Sequence, residues 1–146
     1  MTNKKIAIVV SEFNLDITRG LLHCAEETLN KKGISSSRID VKWVPGAYEL
    51  PYAAFKLAKS RKYAGIIGLG CVIKGETSHD IHVASWASMG LGLVSLMTEI
   101  PTFFGVLTPN NEKQAKARSK PGPLNRGGEV AIALLETLGW MKHHGN

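Results

Sequence analysis

Apolar segments of strand length alternate with segments of helical periodicity along this chain of 146 residues, and this alternation limits the possible folds more than any other feature. Residues 5–11, 65–73 and 100–107 are predominantly apolar or glycine, as expected for buried strands, and residues 39–44 alternate apolar with polar side chains. Strands that alternate with helices form right-handed βαβ units. The pattern therefore predicts an α/β fold of three layers, with a four-stranded parallel sheet in the order 2-1-3-4 and helices on both faces.

Helices are predicted between and after these strands. They are expected at residues 16–32, 51 to about 60, about 79 to 98, 111 to about 119, and 126 to about 141. We interpret residues 1–146 as a single domain of the flavodoxin-like type. In such a sheet, ligands bind at the carboxyl ends of the strands where the strand order reverses, which is here between the first and third strands.

The third strand runs into a polar turn at Lys74–Ser78, and His79 follows in the first turn of a helix. Thr77 or Ser78 can act as the N-cap of that helix, where backbone N–H groups and the helix dipole favour a phosphate or a developing oxyanion. A nucleotide P-loop is excluded, because Glu76 stands where that motif requires lysine, and the glycines lack the spacing of a dinucleotide-binding fingerprint. The alternative is that the glycines only permit close packing and turning.

Phe13 lies two residues after the first strand, so the topology places an aromatic side chain beside that turn. An aromatic ring next to an anion-binding turn suits a flat heterocycle and a phosphorylated partner. The simpler interpretation of Phe13 is a loop aromatic that folds back onto the core.

The helix after His79 contains no charged residue from Ile81 through Thr98, although a helix on the surface of a monomer should carry a polar face. Serine and glycine are too frequent in it for a convincing membrane span, and the flanking strands belong to a soluble α/β pattern. We therefore expect one face of this helix to pack on the sheet and the other on neighbouring subunits of a homo-oligomer, with no membrane contact.

Charge and cysteine content argue against several other classes of protein. The formal net charge is +6, but the lysines are scattered without interleaved aromatic residues, so nucleic acid is not an expected partner. No signal peptide precedes the first strand, which predicts a cytoplasmic protein. Cys24 and Cys71 lack the spacing of metal ligands, so we expect them to be reduced core residues and predict no metal site.

Several segments carry specific motifs. They are Ser-Glu-Phe-Asn at 11–14, Trp-Val-Pro-Gly-Ala-Tyr-Glu-Leu-Pro at 43–51, Val-Ile-Lys-Gly-Glu-Thr-Ser-His at 72–79, Phe-Gly-Val-Leu-Thr at 104–108, Arg118, and Asn-Arg-Gly at 125–127. These motifs and their spacing resemble the 6,7-dimethyl-8-ribityllumazine synthase family of riboflavin biosynthesis along essentially the whole chain.

The resemblance implies a transferase that condenses 5-amino-6-(D-ribitylamino)uracil with 3,4-dihydroxy-2-butanone 4-phosphate, releasing phosphate and water, without a metal or organic cofactor. It implies that His79 transfers protons, and imidazole suits this role because its pKa of about 6.5 lies near neutrality. The residues implied to bind the ribitylaminouracil are Phe13, Asn14, Gly46, Ala47, Tyr48, Glu49, Val72, Ile73 and Lys74. Those implied to bind the butanone phosphate are Gly75, Glu76, Thr77 and Arg118, while Phe104 and Arg126 are implied to contact the neighbouring subunit.

The resemblance also implies self-association as a homopentamer, and it leaves open a larger shell. Many members of the family carry an additional N-terminal strand that pairs with a neighbour, and its absence from this sequence favours the smaller particle.

Two departures from the family pattern lie at or beside residues that the resemblance implies for the active site. The family usually has an aromatic and then an acidic residue after the histidine, whereas this chain has Asp80-Ile81-His82. Asp80 or His82 is therefore expected to substitute for the usual acidic partner of His79. Arg126 replaces the usual lysine and keeps its charge.

Other interpretations stay open at the level of sequence. The same fold could serve a catalytically weak carrier that binds flavin or lumazine, or a protein that forms a shell. Glu49 could serve only the start of its helix, and Arg118 could be a solvated helix charge. His79 could bind a metal together with Asp80 and His82.

Overall fold

The strands and helices have the architecture predicted from the sequence. The computed structural model describes residues 3–145, so the first two residues and the last residue of the predicted domain lie outside the described part. The strands are β1 (Lys5–Ser11), β2 (Ile39–Val44), β3 (Tyr63–Cys71) and β4 (Thr102–Leu107). They pair in parallel in the order β2-β1-β3-β4.

Helices cover the sheet, as predicted. They are α1 (Leu15–Lys31), α2 (Leu50–Lys59), α3 (His79–Thr98), α4 (Glu112–Ser119) and α5 (Arg126–His144), with short 3-10 helices at Ser36–Arg38 and Ala47–Glu49. Ile8 of β1 packs in an apolar cluster with α1 and α5, and its neighbour Val9 packs in a second cluster with α2 and α3. Successive strand residues point to opposite faces, so both faces of the sheet are covered. Each large side chain that is fully buried in these clusters contributes about 1.5–3 kcal/mol.

Several element boundaries differ from the predicted ones. The third strand begins at Tyr63 and ends at Cys71, so Val72 and Ile73 lie beyond it, although Val72 still donates a backbone hydrogen bond of 2.8 Å to Leu107. The fourth strand begins at Thr102 rather than at residue 100, and α5 continues to His144. The predicted alternation of β2 is not seen in its burial, because β2 is an edge strand with both faces only partly covered.

Helix α3 has one face on the protein and one face exposed. It packs against α2 and β4, and Leu91 and Val94 are buried there. Helix α3 is long and apolar enough to cross a membrane, judged by length and composition only. The core helix of a soluble protein can have the same length and composition, so these two properties do not by themselves indicate a membrane span. The exposed face carries large apolar side chains, namely Ile81, Met89, Leu93, Leu96 and Met97.

A polar network closes the amino-terminal end of the sheet. Asp40 accepts hydrogen bonds from Lys5 Nζ at 3.0 Å and from the hydroxyl of Tyr63 at 2.8 Å. The hydrogen bonds from Lys5 and Tyr63 lower the pKa of Asp40. Burial, together with the hydrogen bond to Asp40, raises the pKa of Tyr63 to about 12. Asp40 therefore joins strands β1, β2 and β3.

We expect Asp40→Asn to lower the free energy of unfolding at pH 7 by about 1 kcal/mol, because the hydrogen bonds lose their charged acceptor. A carboxylate with a lowered folded-state pKa stabilises the protein above its unfolded pKa, near 3.8, and loses this effect as the pH falls through the folded value. The difference between the two proteins in urea denaturation should therefore shrink from pH 7 to pH 3. Glu136→Gln on α5 is the control, and an equal loss in that variant would contradict the role of the network.

Candidate functional site

A cleft of about 590 Å³ lies at the carboxyl ends of β1 and β3, where the strand order reverses. A second cleft of about 420 Å³ lies beside it, at the carboxyl ends of β3 and β4. Val72 and Asp80 line both clefts, so the two spaces adjoin.

Most residues predicted to bind the ribitylaminouracil line the first cleft. These are Phe13, Gly46, Ala47, Tyr48, Glu49, Val72 and Ile73, and His79 joins them. Lys74 lines the second cleft with Gly75 and Thr77, which were predicted for the butanone phosphate. Asn14 and Glu76 line neither cleft. The structure thus brings together residues from widely separated parts of the sequence.

Phe13 presents its ring to the first cleft. Its backbone N–H donates a hydrogen bond of 3.1 Å to Pro45, which holds this segment against the end of β2. The side chain is 71% exposed, so the interpretation of a ring folded back onto the core is wrong. An exposed aromatic ring at the wall of a cleft is suited to stack on a planar ligand.

Asn14 has a structural contact that the sequence did not indicate. Its backbone is left-handed, with φ 60° and ψ 51°, at the start of α1. Its side-chain nitrogen donates a hydrogen bond of 2.9 Å to the carbonyl oxygen of Cys71. Asn14 therefore ties the segment after β1 to the end of β3 at Cys71, which lines the first cleft.

Glu49 does serve the start of its helix, which was one of the roles considered for it from the sequence. Its Oε1 accepts a hydrogen bond of 2.9 Å from the backbone N–H of Gly46, which is the half of a capping box that the third helical residue supplies. Glu49 also lines the first cleft. Because a carboxylate has two oxygens, this contact does not prevent the second oxygen from binding a ligand.

The turn between β3 and α3 is shaped by its own side chains. Asp80 Oδ1 accepts a hydrogen bond of 3.3 Å from the backbone N–H of Gly75, and Thr77 Oγ1 accepts one of 3.3 Å from the N–H of His79. Ser78 occupies the N-cap position of α3 without a side-chain capping bond. The carboxylate of Asp80 thus occupies one of the backbone donors that an incoming phosphate would use.

His79 is the first residue of α3, and its side chain borders the first cleft together with those of Asp80 and His82. Within residues 3–145 of this single chain, no side chain forms a hydrogen bond with its imidazole. The described residues also contain no group of three or more His, Cys, Asp or Glu side chains arranged to hold a metal ion. The interpretation of a metal bound by these residues therefore has no ligand set in this part of the chain.

Three further predicted site residues line neither cleft of their own chain. Arg118 is exposed on α4 and donates a hydrogen bond of 3.2 Å to the carbonyl oxygen of Gln114. Arg126 pairs with Glu129 at 2.7 Å and donates at 3.3 Å to the carbonyl oxygen of Phe104 on the edge strand β4. Phe104 and Arg126 are therefore neighbours.

The Asn-Arg-Gly motif has a structural explanation in this fold. Asn125 caps α5 by accepting hydrogen bonds from the N–H groups of Gly127 at 2.8 Å and Gly128 at 3.3 Å. A Cβ atom at Gly127 would lie 2.0 Å from the carbonyl oxygen of Leu21, so only glycine lets α5 approach α1 this closely.

Sequence reasoning missed several side chains that line the clefts. Cys71 and Val83 border the first, and Ile81, Ala84, Ser85, Thr108, Pro109 and Asn110 border the second. Asp80 and His82, which also border the first, were singled out from the sequence only as companions of His79. The helical period could have identified part of this set, because residues 79, 82 and 83 share one face of α3.

Burial raises the pKa of the Cys71 thiol to about 11, which agrees with the prediction of an unreactive core residue.

Sequence comparisons connect this chain with known proteins. A model of the family described as 6,7-dimethyl-8-ribityllumazine synthase matches residues 3–142. The 6,7-dimethyl-8-ribityllumazine synthase of Leuconostoc mesenteroides subsp. mesenteroides is 47% identical over 137 residues, which cover 94% of this chain and 88% of that protein. The 6,7-dimethyl-8-ribityllumazine synthase 1 of Caulobacter vibrioides is 48% identical over 134 residues, which cover 92% of this chain and 88% of that protein. The 6,7-dimethyl-8-ribityllumazine synthase of Lactiplantibacillus plantarum is 43% identical over 134 residues, covering 92% and 84% respectively.

Proposed function

The chain belongs to the 6,7-dimethyl-8-ribityllumazine synthase family, and we propose that it catalyses the condensation of 5-amino-6-(D-ribitylamino)uracil with 3,4-dihydroxy-2-butanone 4-phosphate. The observation that carries the proposal is the first cleft, which unites Phe13, the turn Ala47–Glu49 and His79 at the switch point of the sheet. The product is 6,7-dimethyl-8-ribityllumazine, and phosphate and water are released.

In the proposed complex, the pyrimidine ring stacks on Phe13, while Ala47–Glu49 and Val72 hold the ring edge and the ribityl chain. The turn at Gly75–Thr77 binds the phosphate of the second substrate. Imine formation, phosphate elimination and ring closure each move a proton, and His79 donates and accepts these protons beside the cleft. Holding both substrates in adjoining clefts supplies the proximity that the condensation needs.

Arg118 assists phosphate binding in a neighbouring copy of the chain. It lines neither cleft of its own chain, which supports a contribution from the α4 of another subunit. Phe104 and Arg126, paired at the edge strand β4, contact the neighbouring subunit in the same assembly. The proposed assembly is a cytoplasmic homopentamer.

The direct test of the function is to mix the purified protein with both substrates and follow the absorbance and fluorescence of the lumazine, together with the release of inorganic phosphate. We expect product and phosphate to form in equal amounts, well above the rate without protein. Tight binding of the lumazine without turnover would indicate a carrier instead. Neither turnover nor binding would indicate a structural protein.

Phe13→Ala should weaken binding of the lumazine product by about threefold to tenfold, because a stacked aromatic pair contributes about 0.5–1.5 kcal/mol. Titration of the protein with the fluorescent product measures this affinity. The matched control is Tyr52→Ala, which removes a similarly exposed aromatic ring, 68% against 71%, that lines neither cleft. Equal weakening in both variants would contradict stacking on Phe13.

The exposed apolar face of α3 should be the surface on which subunits associate. Leu96 is 80% exposed and Met97 is 69% exposed, so a lysine at each position would be harmless in a monomer but costly in a dry interface. We expect the variant Leu96→Lys with Met97→Lys to sediment as a smaller species than the wild type at micromolar concentration. Leu124→Lys, on an exposed residue outside α3, is the control. A wild-type monomer would refute the assembly.

A further inference from the structure

We propose that Trp86 is a positioning residue that holds the turn Ala47–Glu49 in the shape needed to bind the ribitylaminouracil, an inference that rests on the proposed function. Trp86 lies on α3 and lines neither cleft. Its indole Nε1 donates a hydrogen bond of 3.1 Å to the carbonyl oxygen of Tyr48. The rings of Trp86 and Tyr48 also pack, with centroids 5.9 Å apart and planes inclined by 38°. Both the backbone and the side chain of Tyr48 are therefore held from α3.

The part of α3 that carries Trp86 is docked tightly beside this turn. A Cβ atom at Gly90 would lie 2.5 Å from Cγ of Pro51, so α3 approaches the first turn of α2 to a distance that only glycine allows. The same Cβ would lie 3.5 Å from Cε2 of Trp86, which places the indole directly over Gly90. Because Pro51 follows the turn by two residues, this contact brings α3 close to the turn.

The opposite side of the turn is held by its own residues. Glu49 Oε1 binds the N–H of Gly46 at 2.9 Å, and the side chain of Ala47 is 6% exposed within the α2–α3 cluster. Tyr48, in contrast, is 57% exposed. Trp86 therefore restrains Tyr48, the residue of this turn that is exposed rather than packed in the core.

The position of Trp86 predicts an effect on one substrate only. Trp86 faces the turn that borders the first cleft, whereas the second cleft is bordered by the turn at Lys74–Thr77 and by residues after β4. Loosening of Ala47–Glu49 should therefore weaken binding of the ribitylaminouracil and of the lumazine product. The butanone phosphate should bind as before.

The test is Trp86→Phe, which keeps an aromatic ring against Tyr48 but removes the N–H donor. Loss of one hydrogen bond of about 0.5–1.5 kcal/mol should raise KM for the ribitylaminouracil, and Kd for the lumazine, by about threefold to tenfold. We expect little change in kcat or in KM for the butanone phosphate. Hydrogen exchange of the peptide covering residues 46–52 should be faster in the ligand-free variant. Trp140→Phe is the matched control, because that indole stacks on His144 at the end of α5.

Different failures have different meanings in this experiment. If the wild type forms no lumazine, the proposed function fails, and the exchange measurement still reports whether Trp86 holds the turn. If the wild type is active and Trp86→Phe changes neither the exchange nor KM for the ribitylaminouracil, only the role of Trp86 is overturned. Equal increases in both KM values would also overturn it, because they would indicate a general disturbance of the fold.

Discussion

Arg118→Ala should weaken binding of the butanone phosphate by roughly tenfold to a hundredfold, because a hydrogen-bonded arginine–phosphate contact contributes about 1.5–3 kcal/mol. Affinity for the ribitylaminouracil should stay nearly unchanged. Arginine has this effect because its permanent charge and forked donors match a phosphate group. The measurement is KM for each substrate, with the other substrate saturating.

Lys116→Ala is the matched control for Arg118→Ala. Lys116 is an exposed cation on the same helix and pairs with Glu112 at 3.3 Å. Its removal changes the net charge of α4 by the same amount, so a similar loss in both variants would indicate a general electrostatic effect. Equal weakening of both substrates by Arg118→Ala would indicate that Arg118 is structural.

The placement of Arg118 outside its own clefts allows a test of sharing between subunits. Chains with Arg118→Ala and chains with His79→Asn should each have low activity alone. Coexpression should restore activity, because a site formed by an intact His79 from one chain and an intact Arg118 from its neighbour is complete. With random mixing, about a quarter of the sites in a ring should be complete. No recovery in mixed oligomers would contradict a contribution of Arg118 from the neighbour.

His79→Asn should lower kcat by about a hundredfold or less, while the affinity for the lumazine product changes little. General acid–base catalysis contributes roughly a hundredfold to ten-thousandfold. The low end is expected here because much of the condensation of a diamine with a ketone follows from proximity alone. Product affinity should persist, because stacking on Phe13 and contacts with Ala47–Glu49 do not pass through the imidazole. Full turnover of the variant at every pH would show that the site acts only by positioning its substrates.

The partner of His79 should be visible in the dependence of turnover on pH. Asp80 and His82 both border the first cleft, but Asp80 already accepts a hydrogen bond from the N–H of Gly75, and His82 lies one helical turn after His79. We therefore expect His82→Asn to displace the pH profile more than Asp80→Asn does, measured from pH 5 to 9. Asp80→Asn should instead lower KM for the butanone phosphate, because it removes a negative charge next to the phosphate site. A larger displacement of the pH profile in Asp80→Asn would identify that carboxylate as the partner.

The sequence by itself determined the order of the sheet, the helices on both faces and the segments that meet at the switch point. Local patterns suffice for these features, because the buried strands are apolar, the helices repeat with their own period, and chain connectivity permits few arrangements of parallel strands. The motifs also identified most of the residues that border the first cleft. Element boundaries such as the end of β3 were less well predicted, because they depend on which backbone groups find partners in a neighbouring strand.

Only the tertiary structure decided how individual polar groups are used. One oxygen of Glu49 binds Gly46, the amide of Asn14 binds Cys71, and the carboxylate of Asp80 binds Gly75. Trp86 reaches Tyr48 from an element 38 residues away in sequence. The spacing of residues along a chain does not give the distance between side chains on different elements, because that distance depends on how closely the elements pack. The location of Arg118 outside both clefts also depends on how the elements pack, so the sequence alone could not predict it.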